Sequence, residues 1–195
     1  MKKVGILDIG YGNIDSVIGS LKTIKVPAAR VKSPQAVLDA EVLILPGVGS
    51  FGTAMELLTK TEIAAAIARR HQDNQVTLGI CLGFQVMSRR SMEAPDIEGL
   101  GIFNFEFERL PRPQIGWKSV SSKSLSGLTL DHFYYFNHTY GSNASSDDQF
   151  EVTRTSDGLL ALASTGRTMG TQFHPEKSQK TGKAFLSWFL EDFAK

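Results

Sequence analysis

Four strand-like runs alternate with helical segments in the first half of the chain, and that alternation constrains the fold more than any other feature. "KVGILDI" (3–9), "AARVK" (28–32), "EVLILP" (41–46) and "VTLGIC" (76–81) read as strands. "NIDSVIGSLKTI" and the long "GTAMELLTKTEIAAAIARRH" carry the apolar spacing of amphipathic helices, and "LGFQVMSRR" opens another helix after the fourth strand. Apolar strands separated by helices imply a parallel sheet covered on both faces, an α/β architecture.

After about Glu93 the rhythm changes. "NFEFERL", "IGWKSV", "HFYYFNHTY", "FEVTRT", "LLALAST" and "TMGTQF" read as short strands joined by turns, which suggests antiparallel additions to the sheet. The closing "TGKAFLSWFLEDFA" repeats Phe185, Phe189 and Phe193 every four residues, the stripe of a packing helix. With 195 residues and no repeat, low-complexity segment or linker, the expectation is one domain over 1–195.

Charge narrows the function classes. The net charge is +1 and no long basic or acidic block occurs, so neither nucleic acid nor a membrane surface is an expected partner. The Arg69-Arg70 and Arg89-Arg90 pairs read as solvated helix faces. The opening "MKKVGILDIG" is interrupted by Asp8 and lacks a small-residue cleavage site, so it reads as a strand rather than a leader. No apolar stretch reaches membrane-spanning length. A single cysteine leaves no internal disulfide, which fits a reducing cytoplasm.

That cysteine, Cys81, stands where a strand runs out and a helix begins, flanked by Gly79 and Gly83 as G-x-C-x-G. This is the cysteine form of a nucleophile elbow, in which a sharp turn lifts the sulfur out at the carboxyl end of the sheet. The flanking positions must be small because strand and helix pass close together. The helix start beneath the sulfur favours thiolate. The competing reading is a buried cysteine acting as a small hydrophobe; the paired glycines tip the balance towards chemistry.

A thiol nucleophile needs a base, and the base needs an orienter. His71 lies in the polar helix end "RRHQDN" and reads as solvated. His132 and His138 bracket an aromatic strand as packing or turn residues. His174 stands in "TQFHPEKS" with Glu176 two positions on, and in extended chain both point to the same side. Glu176 can then hold one ring nitrogen of His174 and leave the other for Cys81. "HPE" alone would be a surface turn; beside an elbow cysteine it is a candidate triad.

"LPGVGSFG" (45–52) matches G-x-G-x-x-G after a strand, the spacing of a dinucleotide loop. That reading requires an acidic residue on the next strand. The next strand instead delivers Cys81, and Asp73 precedes it. Acyl transfer to a thiol has its own use for the loop, since a tetrahedral oxyanion needs unobstructed backbone N–H donors. Val48 N–H and Leu82 N–H, from two neighbouring strand ends, are the candidate pair. A plain turn, with Gly47 and Gly49 present for backbone freedom, is the bland alternative.

Together these stretches resemble the class I, or triad, glutamine amidotransferases, over nearly the whole chain. "LDIGYGN" resembles the family's opening strand and turn, "LPGVGSF" its oxyanion loop, "GICLGFQ" its elbow and "QFHPEKS" its His/Glu motif. "MSRRSMEA" resembles the segment carrying a substrate-binding glutamate, here Glu93. "IGWKSV" resembles a mid-chain Gly-Trp motif and "FYYFNHTY" a strand lining the glutamine pocket. "PGVG" narrows the resemblance to the glutaminase subunits that serve histidine biosynthesis. The resemblance implies a flavodoxin-like fold and glutamine hydrolysis to glutamate and ammonia through a Cys81 thioester, with His174 as base and Glu176 as orienter. It implies Gln85 and Glu93 at the α-amino end of the substrate, Thr139 and Tyr140 at its carboxylate, and Gly47 and Gly49 beside it. It implies no metal and no cofactor.

The departures are local. The family's mid-chain motif reads Pro-His-Met-Gly-Trp-Asn, against Pro113-Gln114-Ile115-Gly116-Trp117-Lys118 here, and Val-His-Ser-Tyr is replaced by Asn137-His138-Thr139-Tyr140. The triad is untouched, so what they leave open is the ammonia acceptor: a histidine-pathway cyclase, or a sugar-modifying synthase of surface polysaccharides. Ammonia in neutral water is mostly non-nucleophilic ammonium, so a glutaminase of this kind is useful when docked on its acceptor. The expected partner is a separate (β/α)₈ synthase subunit, in a heterodimer that covers the rim around Cys81, with Asn13 and Lys177 as contacts. A thiol peptidase of similar fold needs the same triad with an open cleft. A catalytically silent binding module should have lost a triad member, and none is missing.

Overall fold

In the computed structural model, which describes residues 3–10, 12–121, 132–145 and 149–195, the first-half runs form the expected strands. Tyr11 of the opening turn lies outside the described residues. Strands β1 (Val4–Leu7), β2 (Ala28–Val31), β3 (Val42–Leu45) and β4 (Val76–Ile80) are parallel and lie in the order β2-β1-β3-β4. β1, β3 and β4 are buried at every position. Successive residues serve opposite cores: Val42 and Ile44 belong to one, Leu43 and Leu45 to the other. The first core is closed by α1 (Ile14–Thr23) and by the C-terminal helix Gln179–Trp188, with Phe185 and Phe189 fully buried. The second is closed by α2 (Pro34–Asp39), α3 (Phe51–Lys60) and α4 (Ile63–Gln72). The strand order changes direction between β1 and β3, and ligands of open α/β sheets bind beyond the carboxyl ends of the strands at such a switch point. Asn13, the Val48 loop and Cys81 all follow strand ends on that side.

The second half extends the same sheet. After the one-turn α5 (Leu82–Gln85) come β5 (Ser88–Ser91), β6 (Phe103–Ser121), β7 (His132–Gly141), β8 (Glu151–Thr155), β9 (Leu160–Thr165) and β10 (Thr168–Thr171). The sheet continues from β4 through β10, β9, β8, β6 and β5, with β7 paired on β6. β6, β7, β8 and β9 make the expected antiparallel ladders. β10 departs from expectation: it is antiparallel to β9 but parallel to β4, and so rejoins the core of the sheet. That return brings the segment after β10, which holds His174, to the carboxyl end of β4, which holds Cys81. A 3₁₀ turn (Pro175–Lys177) and the last helix, α6 (Gln179–Trp188), follow, ending in the π-helical Phe189–Phe193. No helix among the described residues is long and apolar enough to cross a membrane.

Other departures have physical causes. The helix expected over "LGFQVMSRR" lasts four residues. The Ser88 hydroxyl bonds the Gln85 carbonyl at 2.7 Å and the Arg90 carbonyl at 3.1 Å, and the chain turns into β5. The long second helix is two, broken where Glu62 takes a left-handed conformation (φ 60°). "NFEFERL" and "IGWKSV" belong to one strand, β6, whose pairing is interrupted between Arg109 and Gln114, where Pro111 and Pro113 lack ladder donors.

The expectation that both arginine pairs are solvated fails at Arg70, which is 0% exposed. Its guanidinium donates to the carbonyls of Val37 (2.9 Å), Ala40 (2.6 Å) and Val76 (2.6 Å) and to the Thr77 hydroxyl (3.2 Å). It thus takes up carbonyls at the end of α2, where a helix leaves acceptors unpaired and favours a cation, and ties α2 to β4. Burial lowers its pKa to about 10. Arg70→Met should therefore destabilise the protein by about 3 kcal/mol or more, because three buried carbonyls lose their donor. Urea unfolding checks this, and a loss below about 1 kcal/mol contradicts the clamp. His71 is likewise not simply solvated: it is half-buried with Nδ1 3.1 Å from the Thr168 hydroxyl, and burial lowers its pKa.

Candidate functional site

Close packing of backbone on backbone forces the turn that carries Cys81. A Cβ on Gly79 would lie 2.6 Å from the Gly83 carbonyl oxygen, and one on Gly83 would lie 2.0 Å from that of Leu45. Gly47 is held the same way, its Cβ position lying 2.0 Å from the Ile80 oxygen and 2.3 Å from the Leu82 nitrogen. The β3 loop is thus seated directly on the elbow, and only glycine fits there. Cys81 itself has φ 51° and ψ −106°, a strained conformation for a residue with a side chain, and its N–H is anchored on the Thr171 carbonyl at 2.7 Å. α5 is a single turn and carries little macrodipole, so the expected help to a thiolate from the helix start is small. The cation available to it is His174.

His174 is fully buried. Its N–H bonds the Tyr135 carbonyl at 2.8 Å, and its carbonyl accepts from the Ser178 hydroxyl, whose oxygen accepts from Tyr135 N–H at 2.9 Å. β7 therefore pins the histidine segment from both sides. Nδ1 of His174 donates to Glu176 Oε1 at 2.8 Å, and the same oxygen accepts from Asn13 Nδ2 at 3.1 Å. Nε2 is buried with no hydrogen-bond partner of normal geometry, while Cys81 lies close enough to act on the ring. Burial opposes a charge on His174, but hydrogen bonding and charge interaction with Cys81 and Glu176 prevail and raise its pKa to about 9. That direction suits a ring that takes up the Cys81 proton.

A cavity of about 250 Å³ opens over Cys81. Gly47, Val48, Gly49, Leu82, Gln85, Glu93, Thr139 and Tyr140 line it, so every residue named for substrate or oxyanion binding is gathered there. Gln85 Nε2 bonds the Tyr140 carbonyl and Gln172 Oε1, each at 3.3 Å. Glu93 Oε2 accepts from Phe51 N–H, the first amide of α3, at 3.0 Å. A dinucleotide phosphate would need that helix N-terminus, and a carboxylate already occupies it. A larger cavity of about 510 Å³, lined by Val4, Lys25 and Leu190 among others, lies at the opposite end of β1, away from Cys81.

Of the two residues expected at a partner contact, Asn13 turns its amide inward onto Glu176. Lys177 lies over the Tyr135 ring, 6.0 Å from its centroid. Sequence reasoning missed Gln172, whose Nε2 lies 3.5 Å from Cys81 Sγ, and Asn137, whose carbonyl lies 3.9 Å from it. Gln172 was detectable only by its place, two positions before His174 and directly after β10. Among the described residues, no group of three or more His, Cys, Asp or Glu side chains is placed to hold a metal ion.

Comparison with known proteins agrees with this geometry. Residues 6–193 match the family model described as glutamine amidotransferase class-I. A curated relative from Prochlorococcus marinus subsp. pastoris, imidazole glycerol phosphate synthase subunit HisH, is 35% identical over 98% of this chain and 98% of its own. The protein of the same name from Caldanaerobacter subterraneus subsp. tengcongensis is 36% identical over 96% and 97%. A solved structure described as a glutamine amidotransferase superposes with a TM-score of 0.80 at 22% identity, covering 98% of each chain.

Proposed function

The chain belongs to the class I glutamine amidotransferase family, and from that premise we propose that it is the glutaminase subunit of an imidazole glycerol phosphate synthase, supplying ammonia for histidine biosynthesis. The observation that carries the chemistry is the strained Cys81 elbow beside a buried His174 that Glu176 and Asn13 hold in one tautomer. Cys81 Sγ attacks the side-chain carbonyl of glutamine, and its proton passes to His174 Nε2. The tetrahedral oxyanion takes the Val48 and Leu82 N–H groups. His174 returns the proton to the departing ammonia. Water then attacks the thioester with His174 as base, and glutamate leaves. The substrate's α-amino end lies towards Gln85 and Glu93, and its carboxylate against the Thr139–Tyr140 backbone. The full-length likeness to curated HisH subunits supports the histidine pathway over a surface-sugar synthase.

The acceptor site is on a separate (β/α)₈ synthase subunit that covers the rim of the Cys81 cavity. Apolar exposure around that rim supports the placement: Val48 and Ile115 line the cavity mouth while remaining exposed, and Trp117 and Phe133 continue the strip along β6 and β7. Lys177 lies at its edge, and Asn13 connects that edge to Glu176. Glutamate release by the isolated chain should be slow, and should rise at least about tenfold with the co-encoded synthase and its nucleotide substrate present. Unchanged hydrolysis refutes the coupling. Lys177→Ala with full stimulation removes that residue from the interface.

A further inference from the structure

The wall of the Cys81 cavity contains a buried histidine that the reaction does not use. His138 on β7 lies opposite Gln114 on β6, and both side chains are buried. His138 Nδ1 is 2.7 Å from the Tyr140 carbonyl oxygen, and Nε2 is 2.8 Å from Gln114 Oε1. The Gln114 amide nitrogen lies 3.3 Å and 3.4 Å from the two carboxylate oxygens of Asp157, which Lys118 holds at 2.8 Å. A carbonyl can only accept, so Nδ1 must carry the proton. The amide of Gln114 presents its oxygen to a protonated Nε2 or its nitrogen to a bare one. In both arrangements Gln114 occupies the Nε2 side and leaves the Nδ1–H on Tyr140.

Backbone hydrogen bonding explains why this bond matters. The β6–β7 register is interrupted between Arg109 and Gln114, and Thr139 faces that interruption. Tyr140 pairs with Arg109 but Thr139 has no partner, so regular pairing alone does not fix the backbone that leads into Tyr140. The Tyr140 carbonyl is instead gripped from two sides, by His138 Nδ1–H and by Gln85 Nε2–H at 3.3 Å. We propose that His138 is a positioning residue for the substrate's carboxylate, holding the Tyr140 carbonyl so that the Thr139–Tyr140 backbone keeps its face to the cavity, with Gln114 locking the ring. The inference rests on the reading of this cavity as the glutamine site.

Burial lowers the His138 pKa to about 4, against the opposing pull of the Tyr140 carbonyl and Asp157, with His174 adding to the lowering. Burial thus opposes a charge on the ring, while an oxygen at each ring nitrogen favours one; in either charge state the Nδ1–H stays on Tyr140 as a directed donor.

The test is steady-state hydrolysis by the chain assembled with its synthase, using glutamine and its α-carboxamide, which lacks the carboxylate. His138→Leu should raise KM for glutamine about tenfold or more while changing kcat less than about threefold. The same variant should change KM for the carboxamide less than about threefold. His138→Asn, whose amide nitrogen reaches the Nδ1 position, should bring KM for glutamine back to within about threefold of wild type. An unchanged KM in His138→Leu, an equal loss for both substrates, or a fall in kcat alone overturns the proposal. Should His138→Leu not fold, Gln114→Met, which frees the ring, should raise KM for glutamine selectively, and an unchanged KM there overturns it equally. A wild-type complex that hydrolyses no glutamine overturns the parent reading and the inference with it.

Discussion

Cys81→Ala should lower glutamine hydrolysis by at least about a thousandfold while the thermal transition stays near that of wild type. The chain has one thiol, and no other nucleophile can take the place of a side chain projected at that point. The fold should survive because alanine keeps the Cβ that the φ 51° backbone already accommodates, and the loss is one sulfur at the edge of the core. A glutamine-analogue electrophile should label wild type at Cys81 and leave the variant untouched. More than a tenth of wild-type hydrolysis in Cys81→Ala would be incompatible with a thioester route.

Loss of the base should be nearly as damaging, and loss of the orienter less so. His174→Ala removes the only ring placed to take the thiol proton, and base and nucleophile act as one unit, so the expected fall again approaches about a thousandfold. Glu176→Gln keeps an acceptor for His174 Nδ1 but loses the charge that stabilises the imidazolium. Its effect should lie between wild type and His174→Ala. The two variants are compared by kcat at saturating glutamine. Wild-type values for both would reduce "HPE" to a turn that happens to lie near a cysteine.

Much of this site was legible because its constraints are local. G-x-C-x-G encodes a close approach of strand, turn and helix, and the clash distances at Gly79 and Gly83 are the physical content of that pattern. "HPE" predicts a His–Glu pair on one side of an extended segment; His174 and Glu176 do hydrogen-bond, but across the 3₁₀ turn Pro175–Lys177, so the pair forms for a different geometric reason. The parallel core was legible for the same reason: strands buried on both faces are apolar throughout.

The parts that were not legible depend on partners remote in sequence. Arg70 looks like any helix-end arginine until the carbonyls of Val37, Ala40 and Val76 converge on it. The break at Glu62 has neither glycine nor proline to announce it. β10 reads as one more antiparallel strand, because a four-residue run carries no mark of its neighbour. Its pairing with β4, 91 residues away at Gly170↔Gly79, is what joins the two halves of the site. Asn13 shows the same limit, since an N-terminal turn gives no hint that its amide meets a carboxylate near the far end of the chain.

The central claim is that glutamine is hydrolysed through a covalent bond to Cys81, and trapping that bond tests it most directly. The chain with its synthase is mixed with isotopically labelled glutamine, quenched in acid during turnover, digested and weighed peptide by peptide. The account predicts a labelled glutamyl adduct on the Cys81 peptide, formed as ammonia is released and lost as glutamate appears. Steady release of glutamate with the Cys81 peptide unmodified at every time point would contradict it.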